Sequence, residues 1–204
     1  MRWSISLFLA VLVTCLPAVT RADPLSYTYV EVAYLSTDLD DVNNSFEGAG
    51  VRLSLELTDE LYLFGSYADQ SADVYSWVYD EVSSFDVQSY AVGLGYAWPV
   101  SDVVDVYGQA AYVDGQAEWS GIEVDENGYA VAIGLRGRPS NRFELDTAVS
   151  YTDLDDEAQA AVGVAAHWYF TDYLAVGLNV SLSERGQTYG AGLRWAWGRN
   201  RDER

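Results

Sequence analysis

The sequence predicts an all-β protein, a single antiparallel up-and-down transmembrane β-barrel of ten strands, on three observations. Apolar and polar residues alternate with period two through most of the chain. The second parity is mainly Gly, Ala and Ser, whereas a sheet facing water carries Lys, Glu, Thr and Gln there. Tight turns and longer loops alternate between the segments, as they do in barrels that span a membrane.

The composition sets the frame. The 204 residues suit one domain or two small ones, and no linker composition divides them. Apolar residues make up 50% and aromatics 14%, too much for a disordered chain despite a net charge of -20. With 11 arginines, no lysine and 31 acids the chain lacks the basic footprint that nucleic-acid phosphates require. The single cysteine cannot close an internal disulfide.

The N-terminus reads as an export signal. Met1–Arg2 is a short cationic start, Trp3 to Val19 is an almost unbroken apolar run, and Thr20-Arg21-Ala22 places small residues before a cleavage site. A cleaved signal peptide is therefore expected over 1–22. The rival reading takes Leu12-Val13-Thr14-Cys15 as a lipoprotein box, but Thr is large for the position before that Cys. Beyond residue 22 nothing reaches the ~18 consecutive apolar residues of a spanning helix, which leaves an outer-membrane barrel or a soluble exported β protein.

Strands are expected at 25–37, 45–57, 61–70, 87–98, 103–113, 128–138, 143–152, 159–170, 173–183 and 188–197. In Val51-Arg52-Leu53-Ser54-Leu55-Glu56-Leu57 one parity is aliphatic and the other polar, and Leu174, Val176, Leu178, Val180 and Leu182 alternate with small or polar residues. The parity of 61–70 is ambiguous, and if that segment and a neighbour lay outside the wall the count would fall to eight. Most segments match the ~9–11 residues that a tilted strand needs to cross a bilayer. Tight turns are expected at 58–60, 99–102, 139–142 and 171–172, and loops at 38–44, 71–86, 114–127, 153–158 and 184–187. The barrel then occupies 23–198, with a polar periplasmic tail over 199–204.

On the apolar parity, Tyr34, Tyr90, Tyr112, Tyr129, Tyr151 and Tyr189 sit toward the long loops. Tyr96, Trp98, Phe143, Trp168, Phe170, Trp195 and Trp197 sit toward the short turns. These are two expected girdles, one per interface, where an amphipathic ring keeps its polar edge wet. The opposite parity brings a few charges into the lumen. Glu31 should lie between Arg52 and, on closure, Arg194, while Arg136 should meet Asp146 or Glu144, with Asp105 one strand further. Unpaired charges there would cost several kcal/mol each, so a paired cluster is expected, with a water-filled lumen as the alternative.

The stretches Leu25-Ser26-Tyr27-Thr28-Tyr29-Val30-Glu31 and Phe64-Gly65-Ser66-Tyr67 resemble the small outer-membrane barrels known as activator-of-immunity or quorum-signal-associated proteins, within the porin-like barrels. The hairpin organisation is similar over nearly the whole mature chain. The resemblance implies outer-membrane localisation in a Gram-negative envelope and supplies no catalytic motif. The segment Thr188 to Trp195 also resembles the last-strand signal read by the outer-membrane insertion machinery, although a polar tail follows Trp197.

The remaining residues bear on catalysis, metal binding and loop contacts. The lone His167 faces inward, eight residues below Gln159 and roughly 20 Å from the outer rim. A His-based site at the rim is thereby excluded; no enzyme and no cofactor is expected. Thr37-Asp38-Leu39-Asp40-Asp41 and Thr152-Asp153-Leu154-Asp155-Asp156 are weak calcium candidates without the Gly and distal Glu of an EF-hand loop. The blander reading of all these acids is a solvated, self-repelling face. Tyr75, Trp77, Tyr79 and Trp119 are candidates for loop packing or for a partner contact. Expected is a monomeric integral outer-membrane barrel with a structural or surface-interaction role and a lumen largely filled by side chains. The alternatives are a narrow passive channel for ions or small solutes and the soluble β protein. Outer-membrane lipid and lipopolysaccharide are the expected partners.

Overall fold

The computed structural model describes residues 25–40, 44–76, 81–119, 121–155 and 157–197. The expected signal peptide, Asp41, Trp77, Tyr79, Asp156 and the polar tail lie outside these residues. Ten antiparallel strands form a closed barrel. They are β1 (Tyr29–Leu39), β2 (Phe46–Glu56), β3 (Leu61–Ser76), β4 (Glu81–Ser101), β5 (Val104–Trp119), β6 (Ile122–Ser140), β7 (Phe143–Leu154), β8 (Glu157–Tyr169), β9 (Leu174–Ser183) and β10 (Gly186–Ala196). Each strand pairs with its sequence neighbours, and β1 closes on β10 from Tyr29↔Ala196 to Leu39↔Gly186. Closure leaves no sheet edge over this height.

Burial is inverted relative to a protein built for water. Leu178, Ile133 and Leu193 are 66%, 61% and 58% exposed, while Glu144, His167 and Arg138 are each 1% exposed. Apolar side chains, aliphatic on most strands and Tyr112 on β5, cover the outer wall far beyond the apolar patch that a soluble monomer exposes. Only hydrocarbon outside the wall turns that surface from a liability into a source of stability.

The third strand's parity is settled by its neighbours. Tyr62 and Phe64 are buried in the lumen, and Leu63 is exposed on the outer wall. Room for the large inward rings comes from glycines on adjacent strands. A Cβ at Gly95 would collide with the Tyr62 ring, and one at Gly177 would lie 2.6 Å from the His167 ring.

Residues 25–28 and two of the expected loops depart most from expectation. β1 begins at Tyr29, and residues 25–28 turn into the barrel, where Leu25 and Tyr27 join a core with Tyr62, Phe64, Ala97 and Tyr107. Tyr27 stacks on Tyr62 with centroids 4.5 Å apart, and the Ser26 hydroxyl donates to the Trp197 carbonyl at 3.0 Å. Alternation continues through 25–28, which hid this entry into the lumen. The expected loops 71–86 and 114–127 are mostly strand: β3 pairs with β4 up to Ser76↔Glu81, and β5 with β6 up to Trp119↔Ile122. Charged residues on one parity masked the alternation there. Gly121, at a φ of 77°, takes the left-handed conformation that a two-residue hairpin turn requires.

Candidate functional site

Residues from β1, β6, β7, β8 and β10 converge in the half of the lumen toward the short turns. Their strands alternate sides every residue, so one inward position per strand near the same height is enough to build a cross-lumen cluster. Arg194 is its hub. Its Nε and Nη2 each lie 2.7 Å from Glu31 Oε2, and its Nη1 donates to Glu144 Oε1 at 2.7 Å. Arg136 reaches the same Glu144 oxygen through Nε at 2.9 Å and Nη2 at 2.7 Å. The Tyr169 hydroxyl donates to the other Glu144 oxygen at 3.3 Å, and His167 Nε2 sits 3.3 Å from Glu31 Oε2.

Aromatic rings complete the packing. The Arg194 guanidinium lies 4.1 Å from the Tyr29 ring centroid, Arg136 lies 4.6 Å from that of Tyr27, and Arg138 lies 5.0 Å from that of Tyr169. Such contacts suit arginine, whose weakly hydrated plane stacks on ring faces while its edge donates to carboxylates. The Tyr107 hydroxyl donates to Asp146 at 2.7 Å, and Gln109 donates to the Tyr62 hydroxyl at 2.9 Å.

The register places Arg52 and Arg194 on either side of Glu31. Glu31 is joined to Arg194, whereas the Arg52 guanidinium lies over the Phe64 ring at 5.7 Å. Arg136 is likewise flanked in register by Asp105 and Asp146, yet its guanidinium turns to Glu144. Of the two carboxylates expected for Arg136, Glu144 is the one that holds it; what strand-neighbour reasoning misses is the Glu144–Arg194 bond and the contact of His167 with Glu31. These two contacts join strands that are not neighbours, and only the closed wall brings them together.

Toward the long hairpins the wall changes character. A cavity of about 330 Å³ is lined there by small or weakly polar side chains, among them Ser66, Ala91, Ala111, Ala132, Ser150 and Thr152. On the β1 side Gln70 Nε2 donates to Thr37 at 3.0 Å, and Thr37 meets Thr188 at 3.0 Å.

Outside, Tyr34, Tyr90, Tyr112, Tyr129, Tyr151 and Tyr189 are all exposed on the wall toward the long hairpins. Tyr96, Trp98, Phe143, Trp168, Phe170 and Trp195 are exposed toward the short turns, and Trp197 is half-buried with its ring 5.3 Å from that of Trp195. Tyr67 joins the upper set; its ring lies 5.0 Å from that of Tyr90. Several of these hydroxyls donate to acids beyond the ring, as Tyr129 does to Asp153 at 3.1 Å and Tyr112 to Asp114 at 3.4 Å.

The acidic repeats do not converge. Asp38 accepts from Ser45 at 2.5 Å, and Asp155, at a φ of 36°, accepts from the Asn127 amide at 3.0 Å. Among the described residues no group of three or more His, Cys, Asp or Glu could hold a metal ion. Asp40 and Asp153 stand on separate strand ends, with β1 and β7 on different sides of the wall.

The family model of the outer membrane protein β-barrel domain matches residues 6–170. The chain belongs to this family. As an outer-membrane barrel it meets the hydrocarbon that its inverted wall requires. No curated protein matches it. Among solved structures, the NanC porin is 7% identical with a TM-score of 0.52, covering 82% of this chain and 100% of that one. The KdgM porin, solved in complex with disordered oligogalacturonate, is 12% identical with a TM-score of 0.51, covering 82% and 99%. Ail, the attachment invasion locus protein of Yersinia pestis, solved with the heparin analogue sucrose octasulfate, is 20% identical with a TM-score of 0.45, covering 82% and 95%. At these identities the likeness is one of fold.

Proposed function

We propose that this outer-membrane barrel is closed to diffusion and acts at the cell surface through the hairpins at its long-loop rim. The observation that carries this reading is the cross-lumen lock of Arg194, Glu31, Glu144 and Arg136, packed against the rings of Tyr27 and Tyr29. A barrel needs ~16–18 strands for an aqueous channel, and at ~8 the interior is filled by side chains. Ten strands with bulky groups across the middle belong near the filled end. Short turns are periplasmic in bacterial barrels and longer connections extracellular, which puts β3–β4 and β5–β6 outside the cell.

In the same reading the barrel is a monomer whose tyrosine belt borders lipopolysaccharide headgroups. Its last strand, Gly186–Ala196, is what the insertion machinery recognises. We assign no reaction to the protein, since His167 is buried at the short-turn half and holds Glu31.

A second reading, a narrow passive channel for ions or small solutes, draws on the 330 Å³ cavity above the lock and on the porin names of two fold neighbours. Planar-bilayer recording on the purified protein separates the two. No resolvable conductance steps are expected; regular steps from the unmodified protein would replace the first reading with the second.

A further inference from the structure

The wall does not end at one height. β2 pairs with β3 only to Glu47↔Ser71, and β6 pairs with β7 only from Gly128↔Leu154. Beyond these levels β3, β4, β5 and β6 continue as a sheet of their own, held by Val87↔Ala117 and Trp119↔Ile122. The projecting part of β6, residues 122–126, is therefore an edge strand. Among the described residues nothing pairs with it on the side away from β5.

The edge has a readable polarity. The Asn127 amide donates to Asp155 Oδ2 at 3.0 Å, and the Asn127 carbonyl accepts from the Asp155 amide at 3.3 Å. Both backbone groups of Asn127 thus face the β7 side. In an antiparallel strand that orientation recurs every second residue. Asp125 and Glu123 consequently present their N–H and C=O groups to the open edge.

The two faces of this edge differ sharply. The outer face carries Glu123 and Asp125, with Glu118 of β5 directly opposite Glu123. Like charges directly opposite one another are destabilising, and the Gln116 amide to Glu123 is the neutral contact available to soften it. The inner face carries Ile122 and Val124, 62% and 50% exposed, beside Trp119 at 45%. Many natural edges are blunted by lysine or proline, and this one has neither.

We propose that the β6 edge accepts an added antiparallel strand from a partner polypeptide whose residues alternate between cationic and apolar. The partner's lysines or arginines meet Glu123, Asp125 and Glu118 on the outer face. Its apolar side chains cover Trp119, Ile122 and Val124 on the inner face, and the backbone groups of Asp125 and Glu123 supply the ladder. A second copy of this chain is the wrong occupant, because edge-to-edge pairing would set Glu123 and Asp125 against themselves. The inference rests on the surface-interaction reading and names the chemistry of its partner.

The test uses the full chain in zwitterionic nanodiscs and an eight-residue capped peptide alternating lysine and valine, with binding read by calorimetry. Asp125→Pro removes one free-edge donor while leaving the β5 ladder intact, and Asp125→Asn removes the charge alone. Binding is expected to weaken about tenfold or more in Asp125→Pro, and more than in Asp125→Asn. The same peptide N-methylated at alternate residues keeps its charge and should lose binding, as should an alternating glutamate–valine peptide. Equal binding of the methylated peptide, or a loss in Asp125→Asn as large as in Asp125→Pro, would reduce the effect to charge and overturn strand addition. No binding of the lysine–valine peptide would overturn it outright. If Asp125→Pro fails to fold, the methylated peptide decides. Conductance recorded on the same preparation reports separately on the closed-barrel reading.

Discussion

The two halves of the lumen are built from the same alternating strands and filled by opposite means. Toward the short turns, Arg136, Arg138, Arg194, Glu144, His167 and Tyr169 are almost wholly removed from solvent. Toward the long hairpins, alanines, serines and Thr152 surround a cavity. The first half is specified by charge, because each buried ion fixes the position of the next. The second is held chiefly by the backbone ladder, with the Gln70–Thr37–Thr188 hydrogen bonds on the β1 side, and the residues lining its cavity have space to vary in size. Stability is thus concentrated near the short turns, and the hairpin end is left available for contacts.

That contrast sets the order of the mutational effects. Glu144→Ala leaves Arg136 and Arg194 without their shared carboxylate, and breaking a buried pair in this way costs about 3–5 kcal/mol. Urea unfolding in detergent, followed by the gel shift between folded and heated protein, should register the loss. An unchanged midpoint would mean that water rather than Glu144 compensates the arginines. Leu178→Arg, placed on the outer wall instead, should cost about 2–4 kcal/mol in a bilayer if position 178 faces the hydrocarbon midplane. A neutral result in lipid vesicles would show that this face is not in hydrocarbon. Ala132→Leu fills the cavity and should change stability by under about 1 kcal/mol, since the added methylenes have room. A larger penalty would show the upper half to be as tightly packed as the lower.

The barrel was legible in the sequence because its wall follows a single rule. Period two separates Leu53 and Val92 from Arg52 and Ala91 without any knowledge of long-range contacts, and the short turns fix which strands are neighbours. The lock was legible only in part. Register arithmetic finds Glu31 beside Arg194 and Glu144 near Arg136, but it cannot find the bond from Glu144 to Arg194, three strands away, because that contact crosses the hollow. Arg52 illustrates the same limit from the other side: the in-register carboxylate was expected to hold it, and its guanidinium lies over Phe64. Over residues 71–76 and 114–119 acids and glutamines interrupt the aliphatic parity, so the sequence there has the look of a loop. Outside the bilayer a strand has no need of a greasy outer face, so the cue that identifies spanning strands fades where the wall leaves the membrane.

The most direct measurement pairs two adjacent positions. Spin labels placed singly at Leu178→Cys and Asn179→Cys, in the full protein reconstituted into a lipid bilayer, report collision with oxygen, which concentrates in hydrocarbon. The label at 178 should collide freely and the label at 179 should not. Equal exposure at both sites, or the reverse order, would contradict a wall with its aliphatic side chains in lipid and its charges inside.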